Sequence, residues 1–148
     1  MRFLRDVSVP VAAITALVLA AGAAGQAQKQ GSPSSGPRIE FTEIPPADCG
    51  GPDRTDLIAG KVIGAAPRQF RLTIYAAACN GVLYIQPTVA APFTNINSDG
   101  SFDAYIHLGL TYYVLLVKAG FKPEPQSTAV PEEGGDIVLV AKVHGKKK

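Results

Sequence analysis

Histidine is scarce in these 148 residues: only His107 and His144 are present, and neither has a second histidine or a cysteine at ligand spacing, which argues against zinc. There is no Gly-x-Ser-x-Gly elbow for Ser–His–Asp chemistry. Glu40 and Asp103 are carboxylates whose spacing suggests no acid–base pair. Catalysis is therefore the least supported class, and no cofactor is expected. The absence of tryptophan weakens the case for a stacking site. Charge is thin as well. The formal net charge of +2 falls to +1 without Arg2, Arg5 and Asp6, and to −2 when Lys146-Lys147-Lys148 are also removed. With no basic stripe in the body of the chain, nucleic acid is not an expected partner. Finally, no helical period occurs after the N-terminal segment, which excludes a helical domain.

The N-terminal segment has the plan of an export signal. Arg2 and Arg5 form a basic start, and Val7 to Ala24 is apolar apart from Ser8, Thr15 and Gly22. Gly25-Gln26-Ala27 or Ala21-Gly22-Ala23 then offers a small-residue cleavage site. Residues 1–27 are read as a signal peptide, and the expected location is secreted or periplasmic. An uncleaved anchor is the rival reading, with membrane contact confined to that segment. No cysteine follows the apolar run, so a lipid-modified terminus is not indicated. Polar, small residues over 28–37 describe a flexible linker, residues 38–143 the domain proper, and 144–148 a basic tail.

Both cysteines, Cys49 and Cys79, fall in the exported part, where one disulfide is the economical reading and two free thiols the alternative. Closing a loop of that length stabilises by about 3–4 kcal/mol in the chain-entropy model.

Alternation supplies the fold. Short strands are expected at Ile39–Thr42, Leu57–Val62, Phe70–Ala78, Leu83–Gln86, Ser101–Leu108, Thr111–Lys118 and Ile137–Val143, with edge strands near Phe93–Ile96 and Ser127–Val130. Asn80-Gly81 is a strong hairpin signal, and a two-residue turn there pairs Ala78 with Leu83 and Ala76 with Ile85 on an inner face. Gly109-Leu110 reads as a second hairpin turn joining Ser101–Leu108 to Thr111–Lys118. Ile137–Val143, apolar on both faces, is expected in the middle of a sheet. Seven or eight such strands make an all-β, antiparallel β-sandwich.

On this pattern Tyr75, Tyr84, Gln86, Asp103, Tyr105 and His107 fall on outward faces, where tyrosine rings with amide and carboxylate neighbours stack on sugars and bond hydroxyls. His107 is also expected at a strand end, packed against Tyr112. Asn95-x-Asn97-x-Asp99-Gly100 has the rhythm of a calcium loop, but Ile106 stands where the twelfth-position Glu would be. An Asx-type turn is the preferred reading.

Two resemblances arise from these residues. Gly60-Lys61-Val62, Leu72-Thr73-Ile74, Asp99-Gly100-Ser101-Phe102, Tyr112-Tyr113-Val114-Leu115, Ala119-Gly120-Phe121 and Asp136-Ile137-Val138-Leu139 resemble carboxypeptidase regulatory-like (transthyretin-like) sandwiches. Over Arg38 to Gly145 the chain is also similar to an all-β module of exported soil-bacterial proteins. The residues that carry this are Ile39-Glu40-Phe41-Thr42, Ile44-Pro45-Pro46-Ala47, Gly50-Gly51-Pro52-Asp53, Ile85-Gln86-Pro87, Pro92-Phe93-Thr94, His107-Leu108-Gly109 and Leu115-Leu116-Val117. Leu83-Tyr84 replaces the aromatic pair usual in that module, and Cys49 and Cys79 are additions. The resemblances imply a fold and export, and assign no residue a role. The expected function is a non-catalytic exported binding module for carbohydrate or cell-envelope polymer. Its expected partner is a polysaccharide or an envelope protein. The alternative is a protein-interaction or structural module docking through an edge strand.

Overall fold

The computed structural model describes residues 36–147, so the expected signal peptide and most of the expected linker lie outside the described residues. The described chain forms eight strands: β1 (Arg38–Glu43), β2 (Thr55–Ile63), β3 (Phe70–Ala77), β4 (Leu83–Gln86), β5 (Ser101–His107), β6 (Thr111–Lys118), β7 (Gln126–Ser127) and β8 (Ile137–His144). A single 3-10 turn, Pro67–Gln69, leads into β3. Every strand pairing is antiparallel, in a three-stranded sheet ordered β1-β2-β5 and a five-stranded sheet ordered β7-β4-β3-β6-β8. The fold is an all-β sandwich.

The core follows from alternation in four strands. Ile58 and Val62 of β2 and Phe102, Ala104 and Ile106 of β5 face Leu72, Ile74 and Ala76 of β3 and Tyr112, Val114 and Leu116 of β6. Each fully buried aliphatic or aromatic side chain contributes about 1.5–3 kcal/mol relative to exposure. The five-stranded sheet buries its far face too. There Tyr75, Leu83, Ile85, Leu115 and Val117 form a second cluster, covered by Phe93 and Phe121 from the loops after β4 and β6. That explains the unbroken apolar run Val114-Leu115-Leu116-Val117: a strand covered on both faces has no reason to alternate.

The proline-rich segment after β6 is the far-face cover. The Tyr75 hydroxyl donates to the Glu124 carbonyl at 2.9 Å, and the Ile85 N–H donates to the Pro125 carbonyl at 3.0 Å. The segment then pairs as β7 with β4, near the edge strand expected at Ser127–Val130. Thr94 bonds Leu72 in both directions at 2.8 and 2.9 Å, so only this residue of the Phe93–Ile96 stretch joins the sheet.

Three expectations need correction. At Asn80-Gly81 the chain does reverse, but the loop holds three residues, Cys79, Asn80 and Gly81. Ala78 pairs with Val82, the Gly81 N–H donates to the Ala78 carbonyl at 3.0 Å, and Gly81 takes φ +78°. The register is therefore Ala77 with Leu83, Ala76 with Tyr84 and Tyr75 with Ile85, one residue from that expected. Leu83 and Ile85 move to the far face, where the cover keeps them at 3 % and 5 % exposed.

The second correction concerns Gly109-Leu110, which is a corner between sheets rather than a hairpin. β5 pairs with β2, whereas β6 pairs with β3 and β8. Gly109 is needed for space, since a Cβ there would lie 2.8 Å from the Ala77 carbonyl oxygen. The Tyr112 hydroxyl locks the corner by accepting from the Gly109 N–H and donating to the Pro46 carbonyl, both at 3.0 Å. The third correction is β8, which lies at a sheet edge rather than in the middle. Its apolar residues are half-buried against the core and the far-face cluster.

Tyr75 and Tyr112 give this packing a pH signature. Burial is the main cause raising both phenols above their ordinary value, partly offset by their hydrogen bonds to Glu124 and Gly109. The folded state thus favours the neutral phenol. The contribution is fully present below the unfolded phenol pKa of about 10 and is lost as pH rises through the higher folded values. A spectrophotometric titration at alkaline pH should show these two phenols ionising late and together with loss of strand circular dichroism. Early ionisation of all five tyrosines in the folded protein would contradict this packing.

Candidate functional site

The two sheets differ in width, and the difference leaves a cleft. On one side β1 and β8 approach each other. The Ala47 N–H donates to the Lys146 carbonyl at 2.8 Å, the Lys146 N–H donates to the Pro45 carbonyl at 2.9 Å, and Glu43 pairs with the Lys146 ammonium. On the other side the three-stranded sheet ends at β5, while the five-stranded sheet continues to β4 and β7. β5 meets the inner face of β4 at its end, through His107 and Gln86, and leaves Tyr84 partly open. The resulting cleft is about 590 Å³, within the range of small-ligand sites.

Register decides which side chains enter it. Tyr84 opposite Ala76 and Gln86 opposite Ile74 project to the inner side of the sheet. Tyr84 is 38 % exposed, and its hydroxyl accepts from Asn80 Nδ2 at 3.3 Å. Gln86 is 2 % exposed, a costly place for an amide unless its groups are bonded. They are. Its Nε2 donates to the Tyr84 carbonyl at 3.2 Å, while its Oε1 accepts from the His107 N–H at 2.9 Å and lies 3.1 Å from His107 Nδ1. The Gln86 side chain thus bridges the end of β5 to β4 across the two sheets.

Opposite lies the loop Cys49–Pro52, tied by the Cys49–Cys79 disulfide to the turn between β3 and β4. Asp48 organises this loop by accepting from Arg54 Nη1 at 2.7 Å and the Gly50 N–H at 3.3 Å. Pro87, Thr88 and Val89 supply the remaining edge, with Val89 well exposed. The lining contains no Asp, Glu, Lys or Arg. What the cleft offers is one phenol ring, two amides, a hydroxyl and an imidazole on an otherwise apolar wall.

Of the residues proposed from alternation, Tyr84, Gln86 and His107 come together here, but the expected outward position of Tyr84 and Gln86 is corrected. The one-residue change of register turns both to the inner side of the sheet, where Gln86 is buried. Tyr75 does not join them: it is 2 % exposed in the far-face cluster, so its expected outward, open position is corrected. Asp103 and Tyr105 do face outward, but from β5 in the other sheet, where Tyr105 is 68 % exposed. The six residues therefore form no single surface. His107 is at a strand end as expected, yet its ring nitrogen engages Gln86, and the Tyr112 hydroxyl is taken by the β5–β6 corner. Asn80 and the Cys49–Pro52 loop were missed as lining residues. Their signal was Cys79 beside Asn80-Gly81, which brings loop and turn together once the bridge forms.

The remaining motifs have local roles. Asp99 Oδ1 accepts from the Ser101 hydroxyl at 2.6 Å and the Ser101 N–H at 3.0 Å, and Gly100 has φ +86°, which is an Asx-type turn. The Ser101 hydroxyl is the leading cause that holds the Asp99 carboxyl below its ordinary range. Among the described residues no group of three or more His, Cys, Asp or Glu is placed to hold a metal.

The Cys49–Cys79 bridge suits an oxidising compartment, and no helix among the described residues is long and apolar enough to cross a membrane. The bridge closes a separation of 30 residues, so replacing both cysteines by alanine should cost about 3–4 kcal/mol. Guanidinium unfolding of the double variant beside wild type measures this. Equal midpoints would mean that the bridge contributes nothing to stability.

Comparison with protein-family models, with curated proteins and with solved structures finds no match to this chain.

Proposed function

We propose that the protein is an exported, non-catalytic binding module whose cleft takes a carbohydrate, either free or as part of a cell-envelope polymer. The observation that carries this reading is the half-exposed Tyr84 ring set among amides and an imidazole in an uncharged cleft. An aromatic face accepts the C–H side of a pyranose, and the Asn80 amide and the imidazole bond its hydroxyls. The lining supports binding over catalysis because its imidazole is backed by the Gln86 amide, not by a carboxylate that would strengthen it as a base. Export is supported by the disulfide together with the basic, then apolar, then small-residue plan of the N-terminus.

A second reading, docking of a partner strand, has one observation in its favour. β5 is the outer strand of its sheet, and Tyr105 stands exposed on it.

Affinity electrophoresis against neutral polysaccharides separates the two readings. Tyr84→Ala should weaken retention about tenfold through loss of ring stacking, while Tyr105→Ala, on the other sheet, should leave it unchanged. Loss in Tyr105→Ala alone would move the site to the β5 surface, and no retention of the wild-type protein by any polysaccharide would sink the carbohydrate reading.

A further inference from the structure

The Gln86 amide determines which nitrogen of His107 carries the proton. Its Nε2 meets the Tyr84 carbonyl, which can only accept, and its Oε1 meets the His107 backbone N–H, which can only donate. Those contacts permit one orientation of the amide. At 2 % exposure, water has little part in setting it. The same Oε1 stands 3.1 Å from His107 Nδ1. Two lone pairs facing each other at that distance repel, so Nδ1 must hold a hydrogen. In the neutral imidazole the other nitrogen, Nε2, is then an acceptor.

That acceptor has no internal claim on it. No hydrogen bond to His107 Nε2 is made among the described residues, and His107 lines the cleft. The acceptor oxygens of the neighbouring polar groups each hold a donor already. Asn80 accepts from the Val82 N–H at 3.0 Å and donates to the Tyr84 hydroxyl, and Thr88 Oγ1 accepts from the Ala91 N–H at 3.1 Å.

Resting on the reading of the cleft as a carbohydrate site, we propose that its ligand is a neutral saccharide recognised through a hydroxyl donated to His107 Nε2, with Gln86 holding the imidazole in the accepting tautomer. A ligand that offers only acceptors, such as an ester or a ketone, gives His107 Nε2 nothing to accept and is met only by the Tyr84 and Thr88 hydroxyls. A uronic acid loses hydration of its carboxylate on entering a cleft with no Lys or Arg to replace it. A neutral pyranose carries hydroxyl donors and an apolar face, which answers both Nε2 and Tyr84. Gln86 touches the imidazole rather than the ligand, and is a positioning residue.

The test is long-range proton–nitrogen NMR on the full-length labelled protein, at a pH above the ordinary imidazole range. His144, whose Nδ1 lies 3.0 Å from the Thr111 hydroxyl, is the internal reference because it does not line the cleft. The probes are hexasaccharides of glucose, of N-acetylglucosamine and of galacturonic acid. The expected results are an Nδ1–H pattern for His107 in the free protein and a shift of its Nε2 signal by a neutral probe. The galacturonic acid probe should have no effect. His107→Phe, which keeps a ring but removes the acceptor, should weaken neutral-probe binding about tenfold. An Nε2–H pattern in the free protein overturns the proposal without any variant having to fold. Neutral-probe binding left unchanged in His107→Phe, or tighter binding of the galacturonic acid probe, also overturns it while the cleft stands as a carbohydrate site. If no probe perturbs the Tyr84 or Val89 signals, both the proposal and the carbohydrate reading fall.

Discussion

Ile74 stands opposite Gln86 in the ladder between β3 and β4, and the chemistry of the cleft depends on that pairing. Successive residues of a strand point to opposite faces, so this single alignment sends Tyr84 and Gln86 inward and Leu83 and Ile85 to the far side. Shifted by one residue, β4 would present two aliphatic side chains to the cleft, and the amide would have no route to His107. The alignment is held by the three-residue loop Cys79–Gly81, in which Gly81 adopts the left-handed conformation and Asn80 Oδ1 accepts from the Val82 N–H. The disulfide from Cys79 to Cys49 then ties the same loop to the opposite wall. Register, turn and bridge therefore act on one place.

Of the inward-facing polar residues on β4, Tyr84 is tolerated because the three-stranded sheet leaves it partly open, and Gln86 because its buried amide is bonded to Tyr84 and His107. Over β3 and β6, where the sheets overlap, the inner residues are apolar apart from Tyr112, whose hydroxyl is fully engaged at the β5–β6 corner. Beyond them the wider sheet overhangs, and a half-buried surface results. The far face of the wider sheet is treated differently. There Phe93, Phe121 and the backbone near Glu124 and Pro125 close over the second cluster. One sheet thus carries a covered face and a partly covered face, and the opening lies on the latter.

The hairpin at Asn80-Gly81 was legible, but its loop length was not. Asn-Gly suits a two-residue turn with both residues left-handed, and it equally suits a three-residue loop whose last residue is a left-handed glycine. Local composition does not separate the two. Gly109 was misread for a related reason, because a glycine that permits a turn and a glycine that makes room for the Ala77 carbonyl look alike in a sequence. Tyr75 was assigned outward by correct alternation, yet that face of β3 is covered by residues about 20 and 50 positions further along the chain. Tyr84 and Gln86 were named as candidates for an outward face, yet the shifted register turns them inward, and their meeting with His107 depends on which sheet each strand joins.

The amino-acid sequence by itself determined that the chain forms short antiparallel strands rather than helices. Side-chain alternation arises from the pleat and is a property of each segment alone. The single possible pairing of Cys49 with Cys79 was legible too, but its formation in place of two free thiols rests on the tertiary approach of their Cα atoms to 4.8 Å. Tertiary structure alone decided the division of β5 and β6 between sheets, the covering of the far face, and the cleft that joins Gln86 to His107. Those features depend on burial between residues distant in sequence, and a period of two says which residues share a face without saying what lies against it.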